Sequence, residues 1–180
     1  MQIGEDDRFV DLVREGVDCV LRAGTLQDSS MIGRRVALLE QVTVASAAYL
    51  AREGMPKDID ALASHRAVNY ISSGTGRGIP LEFTVDGAVK SVELTPSISV
   101  TGVEIYTQAA LAVLGIIQVP RYRIKEELAN GRLPCVLPEL APPPMPLSVL
   151  SPHNRQLSAR VRVFADWLGV IFREANNLSE

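Results

Sequence analysis

Three features of this sequence suit the holding of a small anion: the dipeptide Thr101-Gly102, the arginine Arg22, and the loop Ser72-Ser73-Gly74-Thr75-Gly76-Arg77-Gly78. The free amides and the dipole at the start of a helix attract negative charge. Thr101-Gly102 stands ahead of a helix read from Val103 and meets that need; it reads equally well as an ordinary cap and turn. Arg22, followed by Ala23 and Gly24, closes an apolar run. A guanidinium there can take a carboxylate through its planar fork, or can make a structural salt bridge. The Ser72–Gly78 loop resembles a phosphate loop only superficially, since it carries no lysine and leads into a strand, where a phosphate loop needs GxxxxGK[ST] opening a helix.

Groups for catalysis or metal binding are sparse. His65 and His153 are far apart, and no recognised motif pairs either with a serine or cysteine. Cys19 and Cys135 each sit in an apolar run and read as reduced, buried thiols. A Cys–His dyad needs a thiolate, which such neighbours disfavour. No CxxC pair or His/Cys cluster offers a metal site, and nothing points to a cofactor. The residue chemistry is that of a binding module rather than an enzyme, with a small α/β enzyme as the alternative.

The elements that must position these groups alternate. Helices are read over Asp7–Gly16, Ala47–Arg52, Val103–Leu114, Tyr122–Asn130 and Ser158–Glu174. The last has an apolar face of Val161, Phe164, Ala165, Leu168 and Phe172 at helical spacing. Trp167 lies off that face among apolar neighbours, as core packing or an interface would place it. Strands are read over Asp18–Arg22, Ile32–Leu39, Gln41–Ala45, Arg66–Ile71, Ile116–Val119, Leu133–Leu137 and Met145–Leu150. Leu81–Val85 and Val89–Leu94 alternate about Asp86-Gly87, the signature of a tight hairpin. The run Ala141-Pro142-Pro143-Pro144-Met145-Pro146 is a connector, because proline donates no backbone hydrogen bond. Alternation of this kind predicts an α/β fold with mostly parallel sheets.

The 180 residues carry 47% hydrophobic and 22% charged side chains and a formal net charge of -3. This is an ordinary globular composition with a real core. It lacks the basic surplus with which a domain neutralises phosphates, so nucleic acid is not expected to be gripped by this chain itself. No apolar run reaches the ~20 residues of a membrane span, and no secretory signal opens the chain. A cytoplasmic protein without membrane contact is expected.

Several local runs, in order, resemble the LysR-type transcriptional regulators. The stretch from Asp7-Arg8-Phe9 through Gly16-Val17-Asp18 to Leu21-Arg22-Ala23-Gly24 is similar to that family's acidic-Arg helix and following strand. Leu26-Gln27-Asp28-Ser29-Ser30 with Gly33-Arg34-Arg35 resembles its "L-x-D-S-S-x-x-x-R-R" run, and Ser46-Ala47-Ala48-Tyr49-Leu50 its "S-P-A-Y-L". Gly115-Ile116-Ile117-Gln118-Val119-Pro120 resembles "G-I-x-x-L-P", and Glu127-Leu128-Ala129-Asn130-Gly131-Arg132-Leu133 resembles "E-L-x-x-G-R-L". Pro142–Leu147 and Leu157–Phe164 complete a likeness that runs from about Ile3 to Phe172.

The resemblance implies a fold like that of periplasmic binding proteins: two α/β subdomains joined by crossing strands, with a small effector held in the cleft. It assigns 1–70 and 148–180 to the first subdomain and 71–147 to the second. It adds Asp6, Ser72, Ser73, Val119 and Pro120 to Arg22, Gly24, Thr101 and Gly102 as effector-site residues. It implies a homodimer or higher oligomer, and contact with DNA only through a winged helix-turn-helix lying outside this chain. Met1 falls where the second strand of the first subdomain would stand, so a first strand and helix are also expected to be absent. Missing strands leave edges that invite association, which keeps a purely structural dimerisation module open as a further alternative.

Overall fold

The structure is a computed structural model that describes residues 12, 14, 16–24, 31–72, 75–152 and 158–177. The helix read over 7–16 falls largely outside them, as do Asp6, Ser73 and His153. The fold is α/β and forms two compact units. Gln41–Val119 with Arg123–Pro143 make the first; Pro120–Tyr122 and the described parts of 10–40 and 144–180 make the second. Residues 41–70 thus stand with 71–119, whereas the resemblance grouped them with the chain ends. Backbone pairing is the reason: strands from 41–70 bond to strands from 95–120.

In the first unit, β3 (Gln41–Val44) neighbours β8 (Ile117–Pro120), and β4 (Arg66–Tyr70) runs parallel to β7 (Thr95–Val100). Ile116 links the two pairs: its N–H donates to Arg66 O at 2.9 Å, and its carbonyl accepts from Val68 N–H at 3.1 Å. Ile116 and Ile117 point into different cores, as strand alternation requires. One core packs Val44, Val68, Tyr106 and Val119; the other packs Tyr49, Leu62, Phe83 and Val136. A strand buried on both sides reads as an unbroken apolar run.

The hairpin β5 (Leu81–Val85) and β6 (Ala88–Val92) closes as expected through Asp86 and Gly87, both at positive φ (50° and 78°). Gln118 ties it to the sheet. Its Nε2 donates to Glu82 O (2.7 Å) and Thr43 Oγ1 (2.8 Å), and its Oε1 accepts from Glu82 N–H (2.8 Å).

The helices are α1 (Ala47–Glu53), α2 (Val103–Leu111) and α3 (Lys125–Ala129), the last preceded by a 3-10 turn at Arg121–Ile124. Helix α2 stops before the expected Leu114 because the chain reverses through Val113 (φ 68°) and Gly115 (φ 146°). The expected strand Leu133–Leu137 is reduced to one bridge, Val44 with Cys135. Pro134 and Pro138 withhold donors there, and Leu137 adopts φ 49°.

In the second unit, β9 (Met145–Pro152) lies between β1 (Val20–Ala23) and β2 (Met31–Leu39), antiparallel to both. The described strands therefore pair both ways, where mostly parallel sheets were expected. Strand β9 returns after the whole first unit and inserts between strands laid down early, which the local pattern does not encode. Helix α4 (Ala159–Asn177) packs Val161, Ala165 and Leu168 against Val149 and Val36, with Phe164 and Phe172 alongside, as its periodicity required. Arg34 of β2 pairs with Asp166 of α4 at 2.5 Å.

Tyr106 supplies a test of the first core. Its ring stands edge-on to Tyr70, and its hydroxyl accepts Gln118 N–H at 3.2 Å. Burial pushes the hydroxyl up to about 12 from its ordinary 10.0. A pKa raised on folding gives stability that is complete below the unfolded value and is lost as pH climbs through the folded one. Unfolding free energy from urea titration should fall by about 2 kcal/mol between about pH 9 and pH 11.5. Most of that fall should be absent in Tyr106→Phe. An equal fall in the variant would place the titration elsewhere, Tyr49 being another tyrosine that burial pushes up.

Candidate functional site

The parallel strands β4 and β7 end side by side. Tyr70 is in register with Val100, and Ile71 N–H donates to Val100 O at 2.7 Å. Ser72 therefore leaves the sheet next to Thr101-Gly102. Open α/β sheets bind ligands at such carboxyl ends. Ser72 N–H donates to Arg77 O (2.9 Å), and Ser72 O accepts Gly76 N–H (2.8 Å), which holds Ser72 against Gly76 and Arg77. Just inside the mouth, Asn69 Nδ2 donates to Ser99 Oγ at 3.2 Å.

Helix α2 opens directly from this mouth, and its first turn is bare. Helix α1 is capped by Ser46 Oγ, which accepts Tyr49 N–H at 3.3 Å, and α4 by Ser158 Oγ, which accepts Val161 N–H at 3.3 Å. The cap of α2 is Gly102, which has no side chain to accept, and exposed Thr101 before it makes no capping bond. The first intrahelical donor is Tyr106 N–H to Gly102 O at 3.0 Å, so the amides of Val103, Glu104 and Ile105 have no helical acceptor. Glu104 places a carboxylate in this turn, and Arg123 from the turn after β8 pairs with it. The pair offsets a charge that would otherwise repel an anion. Neither residue was singled out from sequence, because they lie 19 positions apart and no local pattern joins them.

The remaining expected residues are distributed otherwise. Val119 is 1% exposed in the first core. Arg22 and Gly24 belong to the second unit: Arg22 stands opposite Ser148 across β1–β9, and Gly24 N–H donates to Pro146 O at 2.9 Å. Pro120 also belongs to that unit and precedes Arg121, whose N–H donates to Glu40 O at 2.8 Å and whose guanidinium lies 3.6 Å from the Glu40 carboxylate. The structure thus joins Ser72, Thr101 and Gly102 in one place.

His65 is buried, with Nδ1 3.4 Å from the Tyr49 hydroxyl, which accepts Arg66 N–H at 2.9 Å. This is a packing network between α1 and β4. Cys19 and Cys135 are both free and stand in different units. Burial, with Asp18 adding to it, pushes the Cys19 thiol up. Among the described residues no group of three or more His, Cys, Asp or Glu could hold a metal ion, and no helix is long and apolar enough to cross a membrane.

The LysR substrate binding domain matches residues 1–170. The chain belongs to this family. The HTH-type transcriptional regulator YhjC of Escherichia coli (strain K12) is 39% identical over 178 residues, covering 97% of this chain and 58% of that protein. The HTH-type transcriptional activator AaeR of the same organism is 30% identical over 175 residues, covering 93% and 54%. This LysR-family chain thus spans little more than half the length of these relatives. The regulatory domain of CrgA from Neisseria meningitidis superposes with a TM-score of 0.73 at 25% identity, over 91% of this chain and 79% of that one. The effector domain of AmpR from Pseudomonas aeruginosa, at 16% identity, shares the fold (TM-score 0.71). That fold is the periplasmic-binding-protein-like architecture of LysR regulatory domains.

Proposed function

We propose that this chain is the effector-sensing part of a transcriptional regulator, and that it takes a small anionic metabolite such as a carboxylate at the start of α2. One observation carries the reading. The bare first turn of α2 opens at the paired ends of β4 and β7, where amide donors and a helix dipole converge with no capping side chain. An effector that prefers one arrangement of the chain shifts the population towards it. In an assembled regulator that shift passes to DNA-binding segments outside this chain, and self-association of two or more copies carries it. The place of work is the cytoplasm, where regulators of this kind meet DNA. The relatives are regulators, and the mouth offers donors for binding rather than a coupled acid, base or nucleophile.

The test is a thermal melt of the chain with a panel of small aromatic and aliphatic carboxylates. At a hundredfold excess over Kd, a ligand that binds only the folded state adds about 2.7 kcal/mol, which in a chain of this size raises Tm by roughly 5–10 °C. Substituting Arg123→Ala should cut the shift, and Arg22→Ala measures whether the second unit contributes. A melt that no carboxylate moves would remove the sensing role and leave a module for self-association.

A further inference from the structure

We propose that the second unit carries an anion site of its own, formed by Arg22, Ser148 and Arg35, which takes a phosphate group. Strand β9 runs between β1 and β2, and Ser148 stands opposite Arg22 on one side and Arg35 on the other. Residues directly opposite in antiparallel strands project from the same face. Val149, the next residue of β9, packs into the core with α4, so the row of three lies on the other face. Neighbouring strands are about 4.8 Å apart, which sets the two arginine backbones about 10 Å apart with the serine midway. Two long side chains at that span can close over one small ion.

Charge is unbalanced in this row. Strands β1, β9 and β2 together hold three arginines and no acidic residue. Arg34 alternates to the α4 face and is neutralised there by Asp166. Arg35 is exposed and has no ion-pair partner among the described residues. Arg22 is half-buried and already engaged, and a guanidinium carries more donors than one contact uses. Ser148 is 4% exposed, and no hydrogen bond of the described residues uses its hydroxyl, although buried hydroxyls ordinarily have a partner. Beside the row on the same face stands Gly33, exposed and opposite Leu150, with no side chain to fill the space next to Arg35.

The donor set selects the ligand. A carboxylate has two oxygens and satisfies one guanidinium fork. A phosphate has oxygens for both forks and the serine hydroxyl together, and its dianion neutralises both arginines. Free phosphate and the phosphate group of a metabolite share this chemistry. The row belongs to the second unit and the start of α2 to the first, so this site goes beyond the proposed function and the two readings fail separately.

Calorimetric titration with inorganic phosphate and with phenyl phosphate, at constant ionic strength, should show one site with a Kd of about 0.1–1 mM. Binding of either supports the site, and the tighter of the two names its source. Arg22→Ala and Arg35→Ala should each weaken binding about tenfold, and Ser148→Ala about fivefold. Arg35→Ala should melt like the parent, because that side chain is exposed. Arg35→Lys should recover only part of the loss, since it restores the charge without the fork. Arg34→Ala, on the opposite face, and Gly102→Asp, at the start of α2, should leave phosphate affinity within about twofold of the parent. A chain that takes up neither compound at about 10 mM overturns the proposal. So does an Arg35→Ala variant that binds as tightly as the parent, or a loss of binding in Gly102→Asp, which would place the ion at α2.

Discussion

Replacing Gly115 by alanine should cost about 4 kcal/mol of folding stability and lower Tm by roughly 8–16 °C. Gly115 sits at φ 146°, which L side chains rarely adopt, and a Cβ there would stand 2.5 Å from Arg66 O and 3.0 Å from Ala67 C. Both obstacles are backbone, and both belong to the strand that Ile116 must approach to make its two hydrogen bonds. Relief would require separating β8 from β4, which the cores on either side resist. Gly54 is the control: it has φ 89° but nothing within 4 Å of its Cβ position. Gly54→Ala should cost only the conformational penalty, about 1 kcal/mol. Equal losses at the two positions, read by denaturant titration, would show that the close approach at Gly115 contributes nothing.

Gly102→Asp should separate folding from binding. A Cβ at Gly102 meets only Ile105 Cγ2, at an ordinary 3.5 Å, and its φ of -106° suits any residue. Aspartate is a favoured N-cap, so stability should hold or rise by a few tenths of a kcal/mol. The same carboxylate would occupy the amides of the first turn and repel a second anion, at about 3 kcal/mol for charges about 5 Å apart near a protein surface. Carboxylate affinity should fall about a hundredfold, measured by calorimetric titration, in a protein that melts no lower than its parent. Retained affinity would place the effector elsewhere.

Much of this was legible in the residues. Asp86-Gly87 between alternating runs specified its hairpin because so few residues accept two successive positive φ angles. The stripe of α4 specified its buried face, and the same periodicity left Trp167 outside it. Strand β7 was not legible: Thr95-Pro96-Ser97-Ile98-Ser99 is polar, exposed and broken by proline, and only its pairing with β4 makes it a strand. Without β7 the mouth beside Thr101 cannot be drawn, so Asn69, Ser99 and Arg123 stayed hidden. Leu133–Leu137 failed in the opposite way, since its apolar run outweighed the flanking prolines in a local reading. The insertion of β9 between β1 and β2 depends on contacts across more than a hundred residues, beyond any window of local pattern.

Amide chemical shifts decide the role of α2 most directly. With the chain isotopically labelled, benzoate and succinate would be titrated in turn and each backbone N–H followed. If the start of α2 holds the anion, the largest shifts will fall on Val103, Glu104 and Ile105, with Ser72 and Thr101 next and α4 silent. Shifts concentrated away from that turn, or none at concentrations that raise Tm, would contradict an effector site at the end of β4 and β7.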